Sequence, residues 1–425
     1  MALDSLNRKP SGVVSPLDHD LSVLHNQHSD LPFGEKTHAA NRTQDVTKFE
    51  LWAARIGFFT GGFTVASWAP LIPFVQSELA LKPHILGMLL LGLGVGSFVG
   101  MPLAGKLTQK IGARNAIAAS GLLSCLLLVF LAMIPGFYFE CIALLAYGVT
   151  LGCLEVSVNI YGTYLENRHK GRLMSGLHAA YSIGEVASAA ALTALFVLGI
   201  SPLGAVGTLM LILAIVLIAT LRQIENHKIE TPKKEKAQSG RIKLNGPIGI
   251  LAVICGVIFL TEGAMLDWSA IYLRDNAGVP QEASAFGYTL FVIAMALSRL
   301  IGDSLTTKIG AKNMLVAGST LILLSLLALV LIPTPIVAFA ALFIMGLGMA
   351  NLAPVLISAA SRTSTMDSVK AITAVTTVGY GGLLAGPALI GAISSAISLQ
   401  GAFLFICLLL VAGLVMINRH QSVFK

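Results

Sequence analysis

The sequence predicts an all-α integral membrane protein with twelve transmembrane helices in two pseudo-symmetric six-helix bundles. Of its 425 residues, 55% are hydrophobic and only 12% are charged, with a mean hydropathy of +0.81. A soluble globule of this size does not have so apolar a composition. Apolar stretches of roughly 18 to 26 residues recur about twelve times, and each is long enough to cross ~30 Å of hydrocarbon. The two halves of the chain also share a repeated pattern.

The predicted spans share this length and lack of charge. They cover residues 51–76, 84–106, 115–134, 138–163, 173–198, 202–221, 247–272, 284–305, 314–333, 336–358, 371–396 and 401–418. A polar, lysine-rich linker at 222–246 separates the sixth span from the seventh. The predicted domains are therefore an N-terminal bundle at 49–221 and a C-terminal bundle at 247–420.

Residues 1–48 are polar and predict a disordered cytoplasmic tail. They also hold no apolar core of the length that a cleavable signal peptide needs. Four of the nine histidines lie there, and they are His19, His25, His28 and His38. A metal-sensing tail is the alternative, although no tight histidine spacing recurs.

The repeat is visible residue by residue. Trp68 recurs as Trp268, and the segment 110–115 (KIGARN) recurs as 308–313 (KIGAKN). Two bundles of like design follow, and proteins built this way place their solute sites at the membrane midplane between the repeats.

Lysines and arginines set the orientation. They crowd the connections after the even-numbered spans, whereas the opposite side has only Lys82 and Arg274. The positive-inside rule therefore puts both termini in the cytoplasm. Topology accounts for the net charge of +7, so no nucleic-acid partner is implied.

The first span contains Trp68 between glycines and the prolines Pro70 and Pro73, so its outer half is expected to bend where it lines a cavity. Trp68 is accordingly a candidate solute contact. Arg55 lies near the cytoplasmic end, where snorkelling to the interface and a substrate role are both open.

The fourth span carries a small-and-polar stripe on one helical face. Its members are Gly148, Gly152, Glu155, Asn159, Gly162 and Glu166. A carboxylate inside a membrane helix costs about 2.5–3.5 kcal/mol, so Glu155 needs a partner or a function. We predict that Glu155 carries a proton and that Asn159 contacts the solute.

The fifth span places His178, Tyr181 or Ser182, Glu185 and Ser188 on one side by the same spacing. When the two halves are aligned by the repeat, Ala353 stands at the position of Glu155 and Leu383 at that of Glu185. The scaffold therefore recurs, but these charges do not. We therefore predict Glu185 as a second proton-coupling acid, held protonated until the cavity opens to water, with His178 and Tyr181 on the solute path.

The seventh span holds Glu262 and Asp267, five residues apart and hence about 140° apart around the helix. Glu262 lies deeper and is the better substrate contact. Asp267 and Trp268 lie near the outer end, where a gate and a ligand contact are both open.

In the remaining spans, Arg299 and Asp303 have the i, i+4 spacing of an ion pair and predict a latch on the cytoplasmic side. Asn351 in the tenth span is a candidate solute contact among glycines. Tyr380 in the eleventh either faces the cavity or belongs to the core. All five cysteines lie in spans without metal-site spacing and are assigned to packing.

These features resemble the major facilitator superfamily. The turn after the second span carries Gly105, Lys110, Gly112 and Arg114 at that family's positions, with Gln109 in place of its usual acid. The resemblance implies the twelve-helix fold and a gating role for Lys110 and Arg114.

Within that superfamily, Gly152 to Glu155 followed by Asn159 is similar to the fourth helix of fucose permease-like proton symporters. This resemblance implies that Glu155 is the proton-coupling acid and that the chain lies in a bacterial inner membrane. Ala69 stands where fucose permeases have a helix-1 acid, so their sugar specificity does not transfer.

The sequence therefore predicts a monomeric secondary active transporter that imports a small polar organic solute by proton symport. We expect no cofactor or metal, and no enzymatic activity, because no nucleophile and base occur at usable spacing. A proton-coupled exporter of drugs or metabolites and a non-transporting solute sensor are the alternatives.

Overall fold

Helices make up nearly all of the chain that the computed structural model describes, namely residues 46–168, 173–226, 246–362 and 368–424. The predicted tail, including its four histidines, lies outside the described residues except for its last three positions. Most of the linker, residues 227–245, also lies outside them. The division of the chain into domains at that linker stays a prediction.

Within the described residues, twelve helices are long and apolar enough to cross a membrane, which confirms the predicted fold class. In chain order they are α1 (Lys48–Glu78), α2 (Pro83–Ile111), α3 (Ala113–Met133), α4 (Phe137–Arg168), α5 (Met174–Val197), α6 (Pro202–Leu221), α7 (Gly246–Asp275), α8 (Phe286–Ile309), α9 (Ala311–Leu331), α10 (Pro335–Arg362), α11 (Ser368–Ala396) and α12 (Leu399–Arg419).

Two of these helices are interrupted. In α1 a 3₁₀ turn at Ala69–Leu71 replaces the α-helical pattern, because Pro70 and the nearby Pro73 lack the backbone N–H that a continuous helix needs. In α10 the helix ends at Met349 and begins again at Leu352. The bend predicted in the outer half of the first span is therefore present, and α10 has a second interruption.

The described part of the chain crosses from end to end twelve times. We call the end at which α1 begins the proximal end, and the end at which α1 finishes and α2 begins the distal end. The loops 79–82 and 134–136 lie at the distal end, whereas the one-residue turns at Gly112 and Gly310 lie at the proximal end.

The repeated sequence segment produces a repeated turn. Gly112 between α2 and α3 has φ 88° and ψ 160°, and Gly310 between α8 and α9 has φ 84° and ψ 155°. A positive φ of this kind is accessible to glycine without steric cost, so the glycine of each repeat permits a one-residue connection.

Helix pairing obeys the same symmetry. In the first half α1 packs on α5 and α2 on α4, and in the second half α7 packs on α11 and α8 on α10. The halves meet where α2 contacts α11 and where α5 contacts α8. Any passage between the halves is therefore bounded by these four helices and by the helices packed against them.

Glycines bring the paired helices close together. A Cβ at Gly148 or Gly152 of α4 would overlap with the carbonyl oxygens of Leu93 and Ser97 of α2. The predicted small-residue face of α4 is thus a packing surface in this part of the helix, in the manner of small-residue helix contacts in membranes.

The α1–α5 and α7–α11 pairs use the same device. A side chain at Gly62 of α1 would overlap with the carbonyl oxygen of Tyr181, and one at Gly382 of α11 would overlap with that of Gly256. A hydrogen bond of 2.6 Å between the hydroxyls of Ser67 and Ser188 also joins α1 to α5 in the buried interior.

Candidate functional site: a charged cavity between the halves

A cavity of about 40 Å³ lies where α5 of the first half faces α7 and α8 of the second. It is lined by two acids, one arginine and a set of small, aromatic and aliphatic side chains. The lining residues are Ser182, Glu185, Glu262, Leu266, Tyr288, Phe291, Val292, Met295, Ala296 and Arg299. Both halves therefore contribute a carboxyl group to the same space.

The three charged residues lie well inside their helices. At 1.5 Å per residue, Glu185 is roughly 16 Å from the start of α5 and roughly 18 Å from its end. Glu262 is roughly 20 Å from the distal end of α7, and Arg299 is roughly 20 Å from the distal end of α8. All three therefore lie far from the helix ends, at the depth where a site between two membrane repeats is expected.

The charges interact without forming a fixed ion pair. Arg299 attracts the carboxylates of Glu185 and Glu262, and Glu185 in turn is repelled by Glu262. Among the described residues, the ion pairs within 4.0 Å involve Arg168 and Arg274 and include none of these three side chains. Arg299 thus offsets part of the cost of the acids' charge through space, and both acids remain half-buried at the cavity.

Arg299 occupies a place that its sequence neighbours did not suggest. Its side chain is exposed and faces the cavity rather than sitting at a helix end. The side chain of the predicted partner Asp303 lies outside the described part of the structure, so the Arg299–Asp303 latch stays a prediction.

Glu155 of α4 interacts with this cluster from outside the cavity lining. Its side chain is half-buried and interacts electrostatically with Glu185 and Tyr181 of α5 and with Tyr380 of α11. It is not among the residues that line the cavity. The Asn159 amide, one turn further on, donates to the Glu155 carbonyl oxygen at 2.8 Å.

His178 and Tyr380 are both exposed. His178 makes an edge-on contact with Phe58, with ring centroids 5.3 Å apart, and interacts electrostatically with Arg299. Tyr380 packs at 5.5 Å from the ring of Phe259. Both residues are therefore accessible and belong to the electrostatic surroundings of the cavity.

Tyr181 is half-buried over Gly61 of α1, where a Cβ would come within 3.1 Å of its ring. Its hydroxyl interacts electrostatically with Glu155, Glu185 and Tyr288. Tyr181 thus bridges the position of Glu155 and the cavity.

Four other predicted residues are buried. Trp68 and Trp268 are 1% and 0% exposed and belong to the hydrophobic core. Asp267 is buried and interacts electrostatically with Tyr288. The Asn351 amide donates at 3.2 Å to the carbonyl oxygen of Ser298, and so it ties α10 to α8. The structure does not bring these four side chains into the cavity lining.

Lys110 and Arg114 lie at the proximal end, on either side of the Gly112 turn, with Lys110 exposed and Arg114 half-buried. Arg168 lies at the same end of the structure, where it forms ion pairs with Glu50 at 3.3 Å and Glu225 at 2.7 Å. This pairing joins α1 to the end of α4 and the segment after α6.

The distal end is closed by an arginine. Arg274 at the end of α7 donates to the Pro73 carbonyl oxygen at 2.9 Å, the Ser77 hydroxyl at 2.8 Å and the Gln76 side-chain oxygen at 2.6 Å. All three acceptors belong to α1, so one guanidinium fastens the second half to the first. Asp275 holds the same guanidinium through an ion pair of 2.6 Å.

Further hydrogen bonds join the halves at that end. Ser77 donates to Gln281 at 2.9 Å, and the His84 backbone N–H donates to the Ser395 hydroxyl at 2.9 Å. Backbones also touch there, because a Cβ at Gly87 would lie 2.5 Å from the Pro387 carbonyl oxygen. The cavity is therefore sealed from the distal side.

Sequence reasoning missed two polar residues of this arrangement. Arg274 is one of only two basic residues on the predicted outer side, and that rarity is the signal that marks it. Glu140 in the first turn of α4 is fully buried, and both of its carboxyl oxygens lack a hydrogen-bond partner among the described residues. An acid inside an apolar span was the signal in that case.

Comparisons with known proteins agree with this architecture. The sequence profile of the Major Facilitator Superfamily matches residues 55–363 and 252–421. An uncharacterized MFS-type transporter of Yersinia pestis is 35% identical over 84% of this chain and 92% of its own length. The membrane protein MosC of Rhizobium meliloti is 28% identical over 89% of this chain and 93% of its own length.

Solved structures show the same fold at low identity. A crystal structure of a mutant of the nucleoside transporter NupG superposes with a TM-score of 0.72 at 14% identity and covers 88% of this chain and 100% of that one. A bacterial homologue of the human lysosomal transporter Spinster, inward-facing and occupied, gives 0.65 at 14% identity over 90% of this chain and 98% of that one.

Proposed function

Because the chain belongs to the Major Facilitator Superfamily, whose members carry small molecules across lipid bilayers, we propose that it imports a small polar organic solute together with a proton. The two six-helix bundles work by alternating access around the cavity between them. The solute path lies within one chain, so a monomer suffices.

The observation that carries this proposal is the shared cavity. Glu185 of the first half and Glu262 of the second face one space beside Arg299, at the depth of the membrane core. Ionisable side chains at that depth are costly and belong by default to substrate or proton pathways. Compensation through space, without a fixed ion pair, leaves the acids able to change protonation state.

The size of the cavity supports a cycle of opening and closing. A space of about 40 Å³ holds only a few water molecules, so a sugar-sized solute cannot enter it as it stands. Since Arg274 and its neighbours close the distal end, the halves must part there to admit a solute from that side.

The distribution of lysine and arginine supports an inner-membrane orientation with both termini in the cytoplasm. The distal end then faces outward. Proton entry from that side would load Glu185 or Glu155, and release would follow when the proximal end opens.

Replacement of Glu155 by Gln tests the coupling. In right-side-out vesicles we expect the variant to retain counterflow of the transported solute, which needs no net proton movement. We also expect it to lose accumulation driven by a proton gradient. The solute is first identified by thermal-shift screening of the purified protein against a metabolite library. Unaltered accumulation in the variant would remove Glu155 from the mechanism.

A proton-coupled exporter is the second candidate. It is favoured by the excess of acids over arginine, because Glu185 and Glu262 line the cavity with one arginine, Arg299, and Glu155 interacts electrostatically with Glu185. A cation that competes with protons for these acids would be exported by antiport. Uptake by everted but not by right-side-out vesicles would identify this direction and exclude import.

A further inference from the structure

We propose that the solute is an organic anion and that Arg299 binds its carboxylate. This assignment rests on the proposed proton symport and names the substrate class of the same cavity. It also gives Arg299 a role different from the cytoplasmic latch that its sequence spacing suggested.

The first support is the state of the Arg299 side chain. It is exposed at the cavity, and it makes no hydrogen bond or ion pair with another described residue. A guanidinium carries five N–H donors in a planar fork that matches a carboxylate in a bidentate manner. Deep in a membrane protein, such a donor set calls for an acceptor that arrives from outside.

The second support is the rest of the lining. Besides Arg299 and the acids Glu185 and Glu262, the cavity is lined by the apolar side chains of Leu266, Phe291, Val292 and Met295 and by Tyr288. Ligand sites typically combine apolar walls with a few polar groups that fix orientation. Among these walls Arg299 is the cationic group that can anchor a small carboxylate with a carbon skeleton, while the two acids supply the proton sites.

The third support is the coupling that this geometry imposes. An anion at Arg299 competes with the carboxylates of Glu185 and Glu262 for the same positive charge. An acid that loses this compensation is more stable with a proton. Anion binding and proton uptake then reinforce each other, and by linkage the proton tightens anion binding by the same factor.

The other charged and titratable groups near the cavity do not reverse this coupling between proton uptake and anion binding. Glu155 from α4 adds negative charge near Glu185, and Tyr181, Tyr288 and Tyr380 are neutral. His178 from α5 interacts with Arg299, and its protonation in acid would add positive charge on the anion's side. A cationic solute would show the opposite dependence, because it competes with protons for the acids.

The experiment uses the purified full-length protein in nanodiscs and matched sets of solutes that share one carbon skeleton. The sets are lactate, propane-1,2-diol and 1-aminopropan-2-ol, and gluconate, glucitol and glucamine. Apparent affinity is taken from thermal stabilisation at about pH 5.5 and about pH 7.5. The carboxylates of lactate and gluconate stay ionised at both pH values. Arg299→Gln is compared with Arg419→Gln, which removes an equal charge at the exposed end of α12.

We expect the acid member of at least one set to bind, more tightly at the lower pH by up to about tenfold per pH unit for one coupled proton. Arg299→Gln should weaken that binding by about 10- to 100-fold, as for loss of a charged hydrogen-bonding group, while Arg419→Gln leaves it unchanged. The assignment is overturned if the diol or amine members bind as well as the acids, if no acid binds, or if Arg299→Gln binds normally.

These failures are distinguishable from failure of the proposed function. A neutral solute that binds independently of Arg299, with accumulation still lost in Glu155→Gln, would overturn the anion assignment and leave proton symport standing. Weaker binding of an amine at the lower pH would instead overturn the anion assignment in favour of antiport.

Discussion

Removal of the Arg274 side chain should open the distal end. Arg274 makes three hydrogen bonds to α1, to Pro73, Gln76 and Ser77, at 2.6–2.9 Å. Hydrogen bonds to charged groups contribute about 1.5–3 kcal/mol when buried, and partial exposure here reduces this to about 0.5–1 kcal/mol each. Arg274→Ala should therefore shift the equilibrium toward distal-open states by about 1.5–3 kcal/mol, which is roughly 10- to 150-fold.

The distance between the two halves at that end is the direct readout. Glu78 at the end of α1 and Glu282 just before α8 are both exposed, so cysteines there accept spin labels without disturbing the core. The five native cysteines are replaced first. Double electron–electron resonance should show a new, longer population in Arg274→Ala that is minor in the parent protein.

Asp275→Asn is the matched control. Asp275 contacts the Arg274 guanidinium, whereas the three hydrogen bonds to α1 come from Arg274 itself. The control should therefore change the distribution much less. An Arg274→Ala variant that folds normally and keeps the parent distance distribution would refute the view that these contacts hold the distal end closed.

Two further predictions concern helix packing. Gly152→Val should lower the melting temperature of the purified protein by the equivalent of about 1–3 kcal/mol or prevent folding, because the new side chain overlaps the α2 backbone. Gly105→Ala is its control, since no heavy atom lies within 4 Å of the added Cβ, and equal losses in both variants would contradict the packing account. In a double-mutant cycle of Ser67→Ala and Ser188→Ala, we expect a coupling energy of about 1 kcal/mol from the buried hydrogen bond, and a value near zero would show that it contributes nothing.

The sequence predicts the fold well because hydrocarbon imposes a simple condition on it. Each crossing must be apolar and about twenty residues long, so spans such as 202–221 are confirmed to the residue by α6. Predicted ends fail where a helix continues past the hydrocarbon. The fourth span was predicted to end at 163, but α4 continues to Arg168 because polar residues can prolong a helix in water.

The cavity is predictable only in part. Glu185 and Glu262 stand out as acids in apolar spans. A protein built from two repeated bundles is also expected to place its solute site near the membrane midplane. Their meeting with Arg299 is not encoded locally, because the three lie on three helices, whereas the i, i+4 pattern offers Asp303 as the obvious neighbour. The position of Trp68 could not be predicted either, because tryptophan beside proline suits a cavity wall and a packed core equally well. The structure puts Trp68 in the core.

The most direct test of a proton-carrying passage between the halves compares two buried acids. Glu185 lines the cavity, whereas Glu140 is fully buried in α4 and is not part of the lining. In proteoliposomes with an imposed pH gradient, Glu185→Gln should exchange the transported solute but no longer accumulate it, and Glu140→Gln should do both. Gradient-driven accumulation by Glu185→Gln at the level of the parent protein would contradict the account.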